Sequence, residues 1–295
     1  MLKPKAIHIP KPTRYQNAAI DYYIGLTKSS YLHYGYWEPL PDAGEELTLT
    51  RLRAAQEAYA AKLLSFIPEK TKTVLDVGCG VGGNAAYLCD RGFSVEGLAP
   101  DALQQEKFIK NTNNQVPFYL TRFEDFHTSH LYDLVLFSES SQYIAVDDLA
   151  QKAVHLLNHD GYLLLADMMR SDAEYREGIF SNCHVASTLK SALEQAGFKL
   201  IKTEDISTAV APTIDLCVNN FRTFGLTTVK YIADVVAIAL PPLHALGRWA
   251  AKRWLEKPIV EGLAARTIFD SHLCYQIQLW QLPKHQNSND CPDRD

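Results

Sequence analysis

The sequence predicts an α/β fold: a doubly wound, mostly parallel seven-stranded sheet with an amino-terminal cap and a helical lid inserted before the last strand. Three observations carry this. From Thr73 onward, short apolar runs alternate with helical patterns, the order that gives right-handed crossovers and a parallel sheet. The runs are continuously apolar, as strands covered on both faces are. After about Thr208 the rhythm breaks into a long helical stretch, and one strand-like segment follows it.

The elements follow in order. Residues 1–46 hold "YYIGLTKSSYLHYGYWEP" and show too little apolar periodicity for an independent domain, so they are assigned to a cap. Leu52, Ala55, Tyr59, Leu63 and Phe66 recur at helical spacing until Pro68 stops them. Residues 47–207 then form the core: "TVLDVG", a helix from Gly82, "FSVEGL", a helix from Asp101, "VPFYLT", "YDLVLFS", a helix from Asp147, "GYLLLAD", and a last helix and strand joined at Gly197. Residues 208–265 are the lid, whose large residues Phe221, Phe224, Tyr231, Trp249 and Trp254 read as core. Residues 266–283 are the final strand, and the polar stretch 284–295 is expected to be disordered.

Composition narrows the partners. A chain of 295 residues with 47% hydrophobic content fills a core, and its net charge of -5 offers no footprint for a phosphate backbone. Nucleic acid is not expected, and a small-molecule substrate is. Six cysteines without a C-x-x-C pair or a metal-like cluster read as reduced thiols of a cytoplasmic protein, with no metal. The most apolar stretch, "VVAIALPPLHAL", is too short to span a bilayer. Arg248, Lys252 and Arg253 stand beside Trp249 and Trp254, however, as on an interfacial helix, so weak membrane-surface contact through the lid is expected. The oligomeric state is not readable.

The stretch "TVLDVGCGVGGNAAYL" is a strand, a glycine turn and a helix. It lacks the lysine followed by Ser or Thr that a P-loop requires. Gly78, Gly80 and Gly83 do satisfy G-x-G-x-x-G, which suits NAD as well as S-adenosylmethionine. Asp76, two residues before the turn, would repel a pyrophosphate and attract an ammonium and a sulfonium. The strand end "VEGLAPD", where a ribose-binding acid belongs for either cofactor, has Ala99 in that place. An NAD-dependent oxidoreductase, and a binding protein without turnover, therefore stay open at this point.

"VLDVGCGVGG" resembles the first motif of the class I S-adenosylmethionine-dependent methyltransferases. "TRFEDF", "YDLVLFSESSQYI" and "LLNHDGYLLLADMM" resemble that superfamily's later motifs in order and spacing. "HYGYWEP" and "ESSQYI" are most similar to its tocopherol- and sarcosine-type small-molecule branch. The resemblance implies a Rossmann-like core, S-adenosylmethionine as cofactor, and methyl transfer to O, N or C of a small acceptor. It places Asp76, Gly78, Cys79, Gly80, Leu98, Ala99, Asp101, Arg122, Phe123, Glu124, Ser138 and Tyr36 around the cofactor. Phe123 is expected on the purine, with Glu124 reading its edge. Asp101, or a backbone or water contact, takes the place of the missing ribose acid, and Gly78 and Gly80 give close backbone approach.

Glu139, at the carboxyl end of the fourth strand where open α/β sheets bind ligands, is a candidate base, as are His33 and Tyr143. Where the branch often has a histidine after the fourth-strand glutamate, this chain has Gln142 and Tyr143. His184 and His272 are weaker candidates to line the acceptor pocket. The apolar lid implies an acceptor with a hydrophobic or aromatic body.

Overall fold

The computed structural model describes residues 11–240, 242, 253 and 255–284, with side chains from residue 17. Seven strands form one sheet in the order β3-β2-β1-β4-β5-β7-β6. They are β1 (Thr73–Val77), β2 (Ser94–Ala99), β3 (Phe118–Leu120), β4 (Tyr132–Ser138), β5 (Leu157–Arg170), β6 (Lys199–Asp205) and β7 (Leu273–Gln281). β1 pairs in parallel with β2 and β4, as do β2 with β3 and β4 with β5. Leu282 N–H donates to Gly161 O at the start of β5, and Ser171 N–H donates to His272 O at its end, so β7 runs antiparallel. The sheet is therefore mixed.

Helices intervene as the alternation predicts: α1 (Lys11–Thr27), α2 (Leu49–Leu64), α3 (Gly83–Cys89), α4 (Ala102–Asn111), α5 (Val146–Leu156) and α6 (Ala186–Gln195). In the lid stretch come α7 (Ser207–Asn220), a π turn (Phe221–Gly225), α8 (Leu226–Ala239), α9 (Glu256–Leu263) and α10 (Ala265–His272). Among the described residues, no helix is long and apolar enough to cross a membrane.

The structure adds one element to the sequence expectations and corrects another. The segment 11–27 is helical: Ile20 and Thr27 are buried and Tyr23 and Ile24 half-buried, an i, i+3/4, i+7 face hidden among tyrosines and polar residues. The final strand begins at Leu273, not at 266. Ala265 and Phe269 bury one face of α10 instead, and Arg266 pairs with Asp270 one turn on at 2.9 Å.

The chain divides into two compact units. One comprises residues 63–167, 187–204 and 277–295 and contains most of the sheet. Leu134 to Phe137 and Val74 to Leu75 are fully buried there, as strands covered on both sides must be. The other comprises residues 1–62, 168–186 and 205–276. Its amino-terminal segment packs Trp37 against Leu52, Ala55 and Leu216.

Candidate functional site

In the sheet unit, β1 and β4 are neighbours while the chain's next strands lie on opposite sides of them, so the strand order reverses here. Such a switch point is where open α/β sheets hold ligands. The turn after β1 is pinned to the end of β2: the amides of Gly78 and Cys79 both donate to Leu98 O, at 2.7 and 3.3 Å. Gly78, Gly80 and Gly82 have φ of 71°, 55° and 92°, in the left-handed region. A Cβ on Gly78 would lie 2.3 Å from Ser140 Cβ. Glycine is thus required there by packing against the β4 turn, whatever the cofactor asks of it. Ser140 Oγ in turn donates to Val77 O at 2.5 Å and locks the two strand ends together.

The electrostatics of this turn are set by burial. Asp76 is 2% exposed, and its Oδ2 has no hydrogen-bond partner among the described residues. Desolvation raises its pKa to about 7. Asp167, in the buried carboxyl-terminal part of β5, is likewise raised to about 7 by burial, opposed by hydrogen bonds from Ser141 and Ser140. Ser141 N–H donates to Asp167 Oδ2 at 3.4 Å. A buried carboxylate oxygen without a donor is a place for a cationic ligand group. That observation fits the ammonium of S-adenosylmethionine and not the pyrophosphate of NAD.

The remaining sequence candidates separate. Cys79 is buried in the turn and its thiol pKa is pushed well up, first by desolvation and then by Asp76, so it packs and does not react. Leu98 and Ala99 are 1% exposed, and Leu98 O accepts from the amides of Gly78 and Cys79. Asp101 caps α4, its Oδ1 accepting from Gln104 N–H at 2.9 Å. Glu96 is committed elsewhere, accepting from Tyr119 and Tyr132 hydroxyls. Phe123 is 2% exposed and packs T-shaped against Phe137, 5.2 Å between centroids. Arg122 is exposed and paired with Glu124. Ser138 and Glu139 are half-buried. Glu139 adopts φ 56°, unusual for a side chain with a Cβ, and its N–H donates to Ala166 O at 2.9 Å. Tyr143 is 66% exposed in the short turn after β4.

In the other unit, the tyrosine-rich segment lines a cavity of about 500 Å³. Its walls include Tyr23, His33, Tyr34, Ile214, Val218 and Phe221. His33 is 6% exposed and stacked on Tyr59 at 4.1 Å. Its Nδ1 lies 2.7 Å from Tyr34 O. A carbonyl only accepts, so Nδ1 carries the proton and the neutral ring has its lone pair on Nε2. Tyr36 belongs to this unit too, its hydroxyl on Glu38 and Lys62 5.2 Å above its ring.

Sequence reasoning missed two buried organisers here. Gln56, 0% exposed, donates to Tyr23 Oη, Tyr31 O and His33 O. Thr213 Oγ1 accepts from Gly35 N–H and Trp37 Nε1–H, at 3.0 and 2.9 Å. Neither residue type signals such a role from sequence. His184 and His272 do not line the cavity; His272 pairs with Asp172 at 2.8 Å. Phe224 and Tyr231, expected in the core, are 70% and 69% exposed. Trp249, Trp254, Arg248 and Lys252 lie outside the described residues.

The sequence pattern of the methyltransferase domain family matches residues 51–203. The chain belongs to that family, and so to the class I S-adenosylmethionine-dependent methyltransferases. It is 33% identical over 84 residues to a probable chloroplastic tocopherol O-methyltransferase of rice (Oryza sativa subsp. japonica), covering 26% of this chain and only 22% of that protein. It is 25% identical over 188 residues to a ubiquinone biosynthesis O-methyltransferase of Nitrosomonas europaea, covering 62% of this chain and 77% of that one. Among solved structures, the [4+2]-cyclase SpnF shares the fold with a TM-score of 0.67 at 15% identity, covering 92% and 95% of the two chains. The NAD-dependent oxidoreductase reading is overturned by the family match.

Proposed function

We propose that the enzyme transfers the methyl of S-adenosylmethionine to an oxygen of a small acceptor with an apolar or aromatic body, and that the acceptor occupies the cavity beside His33. The observation that carries this is the cavity itself, walled by aliphatic and aromatic residues with one tautomerically fixed histidine. The relatives named for tocopherol and ubiquinone biosynthesis, both ring compounds with long apolar chains, support it.

S-adenosylmethionine brings the activated methyl on a sulfonium. Asp76 receives its ammonium, the Gly78–Gly80 turn gives it backbone, and the segment around Arg122, Phe123 and Glu124 reads the adenine through Glu124 and main-chain groups. Asp101, Ser138 and Tyr36 remain proposed contacts. A hydroxyl acceptor must lose its proton as the methyl arrives, and His33 and Glu139 are the groups proposed to take it. A mainly apolar acceptor resides in or at a bilayer, and the lid is proposed to touch such a surface. The reaction is placed in the cytoplasm.

The test is methyl transfer, read by mass spectrometry, to a panel of phenols with and without an apolar chain. His33→Gln and Glu139→Gln are then compared: the proton acceptor is the one whose loss lowers kcat by about 10²-fold or more while cofactor affinity holds. If neither lowers kcat, the hydroxyl reading is wrong. A second reading, cofactor binding without methyl transfer, is favoured by Ala99 in place of a ribose acid and by the fold shared with a cyclase. Tight cofactor binding with no methylated product from any acceptor would establish it.

A further inference from the structure

Helix α8 presents an apolar face that the described residues of its own unit leave exposed. None of its 14 residues is buried. Leu226, Ala233, Val236 and Ala237 are half-buried and fall on one side, at i, i+7, i+10 and i+11. On the opposite side Tyr231, Val235 and Ile238, at i, i+4 and i+7, are 69%, 45% and 84% exposed, with Ile232 beside them at 55%. Phe224, in the π turn just before, is 70% exposed. The helix carries two charges, Lys230 and Asp234, and they neutralise each other in an i, i+4 pair at 2.7 Å. Contiguous exposed apolar surface of this kind marks an interaction site.

We propose that this face of α8 docks on an anionic lipid bilayer. A stripe of aliphatic side chains with a tyrosine, one polar pair at its edge and a half-buried opposite face is the pattern of a helix lying in the interfacial plane. Charge selects the kind of membrane. The sequence that follows, from Pro241 to Leu255, carries Arg248, Lys252 and Arg253 and no acidic residue, and basic residues next to an interfacial helix favour anionic lipid. The site also has a reason to be there. Val218 and Phe221, which line the acceptor cavity, precede the stripe on the same continuous helical run, so an acceptor dissolved in lipid is drawn from the surface on which α8 rests. This last step depends on the proposed apolar acceptor; the docking itself does not.

Two measurements on the full chain separate the ideas. In vesicle sedimentation, the chain should pellet with phosphatidylcholine vesicles containing about a third phosphatidylglycerol, several-fold more than with phosphatidylcholine alone. The double variant Tyr231→Ser/Ile238→Ser should lose about fivefold or more of that binding with an unchanged melting temperature, since both side chains are exposed. Absence of binding to the mixed vesicles, or undiminished binding by the double variant, overturns the proposal. So does a dimer, seen by analytical ultracentrifugation, that the double substitution dissolves, because the stripe would then belong to a second copy. Methyl transfer to a short water-soluble phenol without vesicles reports on the acceptor reading alone, and the double variant should leave it unchanged.

Discussion

The two units build their sites from opposite materials. In the sheet unit the site is backbone: amides of Gly78 and Cys79 on one carbonyl, left-handed glycines, and two carboxylates buried deeply enough to stand near pKa 7. In the cavity unit it is side chain: aliphatic and aromatic walls, and polar groups such as Gln56 and Thr213 that hold the walls around His33, the proposed proton acceptor. A cofactor that does not vary suits a rigid cradle whose residues cannot be exchanged. An acceptor pocket made of packing contacts can be reshaped by substitution without disturbing that cradle, so specificity is free to change where the chemistry of the methyl donor is not.

That contrast predicts which substitutions destroy and which only retune. The largest effect is expected at Gly78→Val. The new side chain would meet Ser140 Cβ at a distance no real contact shows, on a residue with φ 71°. Overpacking and left-handed strain together should cost about 3 kcal/mol or more and abolish cofactor binding, read by thermal melting and calorimetric titration. Thr213→Val is the counterpart in the cavity unit. It keeps the shape but leaves Gly35 N–H and Trp37 Nε1–H without their acceptor, for about 2–4 kcal/mol of stability. Cofactor affinity should hold within about threefold, below roughly 0.7 kcal/mol. A loss of cofactor binding as large as that of Gly78→Val would show that the two units do not divide the labour as described.

A smaller effect sharpens the electrostatic half of the contrast. The folded chain holds the Asp76 proton more tightly than the unfolded chain does, so its burial costs stability increasingly as pH rises from about 4 to about 7, and fully above that. A cationic ligand favours the ionised form. Cofactor affinity should therefore rise toward pH 7, by up to about tenfold per pH unit. Asp76→Asn should weaken binding by about tenfold at neutral pH, flatten that slope and raise the melting temperature of the free protein. An unchanged slope in the variant would assign the dependence to Asp167.

Much of the sheet unit was legible because its constraints are local. Continuous apolar runs report strands covered on both faces, and a glycine turn must lie in consecutive residues. The cavity unit was less legible because its constraints are remote: Gly35 meets Thr213 178 positions away, and no periodicity announces that bond. The final strand was drawn too early because Thr267, Ile268 and Phe269 have strand propensity, which the Arg266–Asp270 pair and the burial of Ala265 and Phe269 override. Phe123 was read as a ligand platform from motif position, and only the structure shows Phe137 against its ring. The exposure of α8 was hidden for a similar reason, since an apolar helix reads as core until its neighbours are known.

The smallest expected effect concerns the ribose, where Ala99 replaces the usual acid. Asp101 is the nearest carboxylate in sequence, but it is 6% exposed and its Oδ1 already accepts the Gln104 amide as the cap of α4. Asparagine caps a helix about as well as aspartate, so Asp101→Asn should change stability by only a few tenths of a kcal/mol, roughly. The cap and the ribose compete for the same side chain, and the cap is built into the fold. Cofactor affinity should accordingly stay within about threefold, which places the ribose on main-chain groups or water. A loss of about tenfold with stability unchanged would instead show that the second oxygen of Asp101 reaches the ribose, and that this half of the molecule recruits a side chain where the glycine turn uses backbone.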